Sequence, residues 1–494
     1  MTNTADTSTS LSRLTSALTL WTRTNGGVAM RPKSGKEPQH LASESYYIES
    51  APSASQRFSC SFVEFDGMGD YLLFEQHQDA WEQTLLLAKD TSVLLVIYCH
   101  GWQNNSQSAD VLRFNAFLCQ LASTEWVLKK GWRVHGVYLA WRGASMKPDL
   151  SSGDDRALDN KLKQLFGTRI VDLRWSQWLP AWAAFVPQQL TYWGRKTAAE
   201  NDVSGAPISR TVFSLGYALK RHRSEHDHHV ILIGHSMGAL MMEQSLANAC
   251  MSKVMADWPW FSDLQPPGQD EMVLPFDVVL LLNSAAPSIY AKEMRDFLAA
   301  DYAVRKASGF PRPDGPVIIS VTSEGDLATG VAHRIGNAFS FFSPKLQRAY
   351  ADREEGRVYQ SSFYSMTPGH NPLLINRQIK LVEAPPMPAG VDLFEVNRRP
   401  VPGIDCCFYT SARHPGQAPQ AWCIERVQTT ASKVGPSWRD KANYWIISVP
   451  KALIRNHGDI WSQQSMEMMV GLWRIADTDQ TARIWDGDDG TWCT

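Results

Sequence analysis

The chain has 494 residues, about three times the ~150-residue unit that serves as a prior for one domain, although α/β folds often exceed 250 residues as a single unit. Lys and Arg number 48 against 50 Asp and Glu, a net charge of −2. That balance provides no field to hold a polyanion or an anionic membrane and argues against nucleic-acid binding. Hydrophobic residues at 44% with 20% charged residues describe a globular chain with a substantial core, far from a disordered one.

Residues 1 to about 40 are rich in Ser, Thr, Gly and Lys and lack periodicity, as a flexible leader would. From 41 to 494 short apolar runs alternate with longer amphipathic stretches, the pattern of parallel strands covered by helices on both faces. The expected strands are Ser92 to Cys99, Trp132 to Leu139, His229 to Ile233, Phe276 to Leu282, Val317 to Thr322 and Tyr444 to Val449, each short and rich in β-branched residues. Helices are expected over Ala109 to Leu121, Ile208 to Lys220, Met237 to Ala249 and Ala291 to Ala299, with a last amphipathic one over SMEMMVGLWRI. This predicts a doubly wound, mostly parallel α/β sheet. Two intervals, about 144–205 and about 327–441, are too long for ordinary crossovers, so they stand as insertions forming a lid or cap.

The 19 Trp, as many as the Phe, suit greasy pockets and lipid interfaces as well as cores. Eight scattered Cys without a C-x-x-C pair are expected to be mostly reduced thiols. No secretory signal and no run of ~20 apolar residues is visible, which predicts a protein made in the cytoplasm, signal-less export remaining open.

The strongest local signal is Gly234-His235-Ser236-Met237-Gly238, lying between the apolar run HVILI and the helical stretch MGALMMEQSLANA. A G-x-S-x-G between strand and helix makes a sharp turn that lifts the serine above the sheet edge, while the glycines let the two elements approach. Ser236 is therefore the candidate nucleophile. A second turn, His100-Gly101-Trp102, closes the strand SVLLVIYC and would supply one oxyanion-binding amide, the residue after the serine supplying the other. The backbone N–H groups of Trp102 and Met237 are assigned to it, the choice within the His-Gly-Trp turn being open by one residue. His100 itself is expected to brace that turn.

In this arrangement the acid follows the serine in the chain and the histidine comes last. The strand ending at Asn283-Ser284-Ala285-Ala286 brings no carboxylate, whereas the next runs into Ser323-Glu324-Gly325-Asp326. Asp326 is the candidate acid and Glu324 the reserve; taken alone, Asp326 is also a good helix N-cap. For the base, His457 stands in the loop after the last strand, in Asn456-His457-Gly458-Asp459, and Asp459 is expected to cap the following helix. His370, inside the second long interval, is its competitor.

Other features carry a bland reading and a sharper one. The segment from His222 to His229 has the residue types of a metal site but is read as a solvated charged turn, and no metal or other cofactor is implied. Trp175, Trp178, Trp182 and Phe185 recur every three or four residues in the first long interval, broken by Pro180. Either they pack on the core, or they form a greasy lid face that lines an acyl pocket and touches lipid peripherally. Trp258, Trp260 and Phe261 would extend that rim. His235, Trp178, Trp182 and Phe185 are the candidate substrate-binding residues.

With these residues assigned, the chain resembles the α/β-hydrolase superfamily over roughly residues 55 to 476. More narrowly, VEFDGMGDY, VIYCHGWQNN, VYLAWRG, GHSMG, VTSEGD and HGDIW are similar to a group of poorly characterised lipase-like or esterase-like hydrolases. The resemblance implies a serine nucleophile, small-molecule or lipid ester substrates and no cofactor, with roles carried onto Ser236, Asp326 and His457. The two long insertions depart from the family's pattern and bear on substrate access. The alternatives are an acyltransferase with the same three residues and a catalytically silent binding protein that kept the fold. Delivery into other cells as an effector would bring with it a tight-binding immunity partner.

Overall fold

The computed structural model describes residues 44–47, 57–66, 69–101, 109–141, 206–222, 226–254, 274–307, 316–326, 328–332, 360–382, 404–411, 419–427 and 444–476. In chain order the elements are β1 (Glu44–Tyr47), β2 (Arg57–Phe65), α1 (Phe74–Asp90), β3 (Val93–Cys99), α2 (Ala109–Ala122), α3 (Glu125–Lys130), β4 (Arg133–Trp141), α4 (Ala206–Arg221), β5 (His229–His235) and α5 (Met237–Val254). They continue with β6 (Val278–Leu282), α6 (Ser288–Ala307), β7 (Ile318–Ser323), α7 (Gln360–Ser365), β8 (Arg377–Val382), β9 (Ile404–Thr410), β10 (Gln420–Arg426), β11 (Tyr444–Val449) and α8 (Gln463–Ala476).

Among the described residues eleven strands form one sheet in the order β1-β2-β4-β3-β5-β6-β7-β11-β8-β10-β9. From β2 to β8 neighbouring strands run parallel; β1 at one edge, and β10 and β9 at the other, pair antiparallel. β3 and β6 are apolar along their whole length because both faces are covered, and alternate residues serve opposite layers. On β3, Leu94, Val96 and Tyr98 meet the layer built by α2, α3 and α8. Val93, Leu95, Ile97 and Cys99 meet the layer built by α1, α4, α5 and α6. Truncating one such buried side chain, Leu232 for example, costs about 2–5 kcal/mol.

Local chemistry sets where elements stop. α3 begins at Thr124, whose hydroxyl accepts from Val127 N–H at 3.4 Å, and ends at Gly131, whose φ of 68° allows the left-handed turn that returns the chain to β4.

The strand order also decides where a site can form. β4 and β2 lie on one side of β3, whereas β5, β6 and β7 lie on the other, so the winding reverses between β4 and β5. Connections leaving the carboxyl ends of β3 and β5 diverge there and leave a crevice. His100-Gly101 and Ser236 flank that crevice.

Several expectations need correction. The interval 327–441 does not lie wholly outside the sheet: β8, β9 and β10 come from it and extend one edge. The His222 to His229 segment is a solvated turn only in part, since His228 and His229 are buried. His228 Nδ1 accepts from Val93 N–H at 3.2 Å, and His229 lies against Trp132. Among the described residues no group of three or more His, Cys, Asp or Glu could hold a metal ion. Cys407 and Cys423 stand directly opposite on β9 and β10 and form a disulfide, while Cys60, Cys99, Cys119 and Cys406 are buried thiols. No helix among the described residues is long and apolar enough to cross a membrane. The leader 1–40, the interval 144–205 and the aromatic residues 258–261 lie outside the described residues.

Candidate active site

Ser236 sits between β5 and α5 with a φ of 55°, a conformation that side chains other than glycine adopt at a cost and that a nucleophile elbow requires. The surrounding backbone enforces it. Ser236 N–H donates to Leu282 O at 2.9 Å, and Ser236 O accepts from Ala285 N–H at 3.1 Å, both at the end of β6. The two motif glycines are steric necessities: a Cβ on Gly238 would lie 2.2 Å from Cys99 O, and one on Gly234 would lie 2.6 Å from Ala239 Cα. The first hydrogen bond of α5 runs from Leu240 N–H to Ser236 O. The N–H groups of Met237, Gly238 and Ala239 therefore precede the helical ladder, at the end where the helix dipole favours negative charge.

The histidine and the acid arrive from far along the chain. His457 Nε2 is 2.7 Å from Ser236 Oγ, and His457 Nδ1 is 2.9 Å from Asp326 Oδ2. A carboxylate only accepts, so Nδ1 carries the proton and donates it; Nε2 is then free to accept from the Ser236 hydroxyl. Asp326 is 1% exposed and Ser236 2%, whereas the His457 ring keeps 28% of its surface open. The line therefore opens to solvent at its imidazole.

Asp326 also fulfils its capping role. Thr329 N–H donates to Oδ1 at 3.1 Å and the Thr329 hydroxyl donates to Oδ2, at the start of a short π-helical turn, Ala328–Ala332. Burial by itself would raise the Asp326 pKa, but the facing imidazole's charge and these hydrogen bonds hold it below the usual carboxylate value. Burial likewise works to lower the His457 pKa, and the Asp326 charge and hydrogen bond outweigh it, leaving that pKa above 6.5. The pair thus favours an ionised carboxylate beside an imidazole more basic than a free one.

Glu324 points to solvent, its main chain alone joining the sheet through N–H to Val449 O at 2.9 Å. His370 lies in the 3-10 turn Pro368–His370, its ring against Gly330 and its Nδ1 3.0 Å from Thr367 Oγ1, whereas the imidazole bonded to Ser236 Oγ is that of His457. Asp459 does not cap α8. Its carboxylate instead accepts from Arg455 N–H at 3.1 Å and closes the His457 loop, while Ser462 Oγ accepts from Ser465 N–H at the start of α8.

Of the two oxyanion candidates, Met237 is buried at the start of α5, and Trp102 lies outside the described residues. His100 braces its turn in a single tautomer. Trp141 N–H donates to Nε2 at 3.1 Å, so Nδ1 bears the proton and donates to Gly101 O at 2.8 Å, while the ring stacks on Trp141. Gly101 presses on the elbow: a Cβ there would come within 2.9 Å of Ser236 Cβ. His235, expected at the substrate, turns its Nε2–H to the main-chain carbonyl of His457 at 2.9 Å. Burial, then the His457 charge, lower its pKa to about 4, so it is neutral. Trp178, Trp182 and Phe185 lie outside the described residues.

Sequence reasoning missed the residues that hold the histidine loop. Asn283, with a φ of 46°, donates from Nδ2 to His457 O at 2.9 Å and accepts at Oδ1 from Ser323 N–H at 3.0 Å. Asp110 accepts from Tyr98 and Tyr138 hydroxyls at one oxygen and from Trp461 Nε1, at 2.6 Å, at the other. An Asn after a strand, where φ is positive, was the one available signal for the first.

No family model, curated protein or solved structure matches this chain. The site stands on its geometry: a hydroxyl, an imidazole and a buried carboxylate in line at the crevice of a reversed parallel sheet, with helix N–H groups beside the hydroxyl.

Proposed function

We propose that this chain is a serine hydrolase of carboxylic esters, built as an α/β-hydrolase, with Ser236 as nucleophile, His457 as general base and Asp326 as the acid that orients it. The observation that carries the reading is the hydrogen-bonded line from Ser236 Oγ through His457 to Asp326, joining residues 221 and 131 positions apart. Independent sequence segments have no packing reason to align a hydroxyl, an imidazole and a carboxylate in this way.

Ser236 Oγ attacks the ester carbonyl while its proton passes to His457 Nε2. The imidazolium formed is stabilised by Asp326, and the oxyanion is held by the Met237 N–H at the start of α5 together with an amide of the His100-Gly101-Trp102 turn. As the carbonyl re-forms, His457 gives its proton to the leaving alcohol and an acyl-Ser236 remains. Water then attacks this ester, losing a proton to His457, and the acid is released with Ser236 restored. All groups needed come from the chain itself.

The preference for lipid or other hydrophobic acyl chains rests on the aromatic spacing of Trp175, Trp178, Trp182 and Phe185 and on the abundance of Trp. Hydrolysis of nitrophenyl esters of graded chain length, alongside phospholipid vesicles, tests both levels. Turnover that disappears in Ser236→Ala and rises with chain length supports the proposal. Activity confined to acetate removes the hydrophobic-substrate part, and undiminished turnover by Ser236→Ala removes the whole.

A further inference from the structure

The histidine's own hold on the fold is unusual in where it is applied. His457 belongs to the stretch between β11 and α8, and its neighbours bond mainly to one another: Gly458 N–H to Asn456 Oδ1, Arg455 N–H to the Asp459 carboxylate and Asp459 N–H to Asn456 O. The loop is anchored on either side, by Ser323 Oγ donating to Ile454 O and by Trp461 Nε1 donating to Asp110, which leaves the short arc carrying the ring to be set. Its carbonyl at residue 457, however, accepts two hydrogen bonds at once, from His235 Nε2–H at 2.9 Å and from Asn283 Nδ2–H at 2.9 Å.

The two donors come from different strands with different duties. His235 is the last residue of β5, adjacent to Ser236. Asn283 follows β6, is fully buried, and its other amide atom grips Ser323 N–H at the end of β7, the strand that leads to Asp326. One carbonyl is thus fixed relative to both the serine and the acid. We propose that His235 and Asn283 are positioning residues that hold the His457 ring over Ser236 by donating together to the His457 main-chain carbonyl. The inference deepens the hydrolase reading and rests on it for the chemistry at Ser236.

The chemistry of both donors fits the task. The Nε2 of His235 faces a carbonyl and must carry the proton, so the neutral ring is enough and no second positive charge competes with the imidazolium formed at His457. Asn283 occupies a left-handed backbone conformation that Asn tolerates better than most residues, which aims its amide across the strand ends. A loop carbonyl clamped from two sides sets that short arc and with it the ring over the hydroxyl. Displacements of about 1 Å at a reacting group cost about 100-fold in rate.

The test uses the full chain and four variants: Asn283→Ala, Asn283→Asp, His235→Leu and His235→Gln. Asn283→Asp keeps the acceptor for Ser323 N–H and deletes the donor; His235→Gln keeps a donor at nearly the position of Nε2. Two quantities are read: deuterium uptake of peptides covering 451–461, and the rate of labelling by an alkyl fluorophosphonate, separated into a binding constant and a maximal rate.

Asn283→Ala, Asn283→Asp and His235→Leu are expected to speed uptake in that loop and to lower the maximal labelling rate about 10- to 100-fold with the binding constant little changed. His235→Gln is expected to recover most of the loss. Loop uptake equal to the parent's in both Asn283→Asp and His235→Leu overturns the inference, whatever the labelling does. A parent protein that takes no label at Ser236 overturns the hydrolase reading instead, and loop uptake then decides the clamp by itself.

Discussion

Ser236 and His457 stand 2.7 Å apart and are held by opposite means. The serine is fixed by main chain: strand β5 before it, helix α5 after it, two backbone hydrogen bonds to the end of β6 and glycines that admit close neighbours. The histidine loop is tied to the sheet largely by side chains. Ser323 Oγ donates to Ile454 O, His235 and Asn283 donate to His457 O, and Trp461 donates to Asp110. Backbone-held positions are set when the sheet forms, whereas side-chain-held positions depend on particular residues at strand ends. The first region should therefore resist all but steric insults, and the second should be adjustable by single polar substitutions without loss of the fold.

Removing chemistry from the rigid side gives the largest effect. Ser236→Ala is expected to lower ester turnover by about 10⁴-fold or more, with an unchanged circular dichroism spectrum. Retained turnover would show that the elbow serine is not the nucleophile.

Asp326→Asn acts on the adjustable side and is next in size. With an amide in place of the carboxylate, His457 loses the partner that fixes its tautomer, and kcat is expected to fall by about 10³–10⁴-fold at neutral pH. The pH profile carries a second signature. Because the His457 pKa is raised, activity should be lost as pH falls through a midpoint above 6.5, where the ring becomes an imidazolium that cannot accept the serine proton. In Asp326→Asn the residual activity should titrate at lower pH. An acid limb at the same pH in both proteins would contradict the assignment of the limb to this pair.

The backbone hold is sharpened by Gly238→Ala, whose Cβ would meet a main-chain oxygen rather than a flexible side chain. Overpacking of this kind costs about 1–3 kcal/mol, read as a lower denaturation midpoint with an unchanged denaturant slope. A parent-like midpoint would mean that the elbow can relax, and the contrast between the two regions would weaken.

An effect on stability alone, remote from the reacting atoms, concerns a side-chain contact on the rigid side. Glu243 of α5 is buried between the hydroxyls of Tyr444 and Ser284, and burial raises its pKa from 4.5 to about 7. A folded-state pKa above the unfolded one means that the folded chain binds the extra proton between those values, so stability falls as pH rises from about 4.5 to 7 and then levels. The parent's Tm should decline across that window by more than that of Glu243→Gln, which has no proton to lose. Parallel Tm profiles would show that Glu243 titrates normally.

The central sheet was legible because its strands are mainly short apolar runs rich in β-branched residues, and Tyr444 to Val449 coincides with β11 residue for residue. The flanking strands were not. β2 mixes Ser, Arg and Glu with its apolar positions, and β8 is polar along half its length because it lies near an edge; neither carries the signal of burial on both faces. At the site, Ser236, Asp326 and His457 were accessible through a motif and a chain order. Asn283 and Asp110 were not, since their roles arise from the register between strands that are remote in sequence. The Cys407–Cys423 pair escaped for the same reason: it exists only once β9 and β10 are aligned.

The most direct measurement is the mass-spectrometric location of the covalent adduct left by an alkyl fluorophosphonate on the native chain. One adduct is expected, on the peptide holding Gly234 to Gly238, at Ser236, and it should vanish in heat-denatured protein and form far more slowly in His457→Gln. An adduct on another residue, or equal labelling with and without His457, would show that the aligned hydroxyl, imidazole and carboxylate do not work together as a reacting unit.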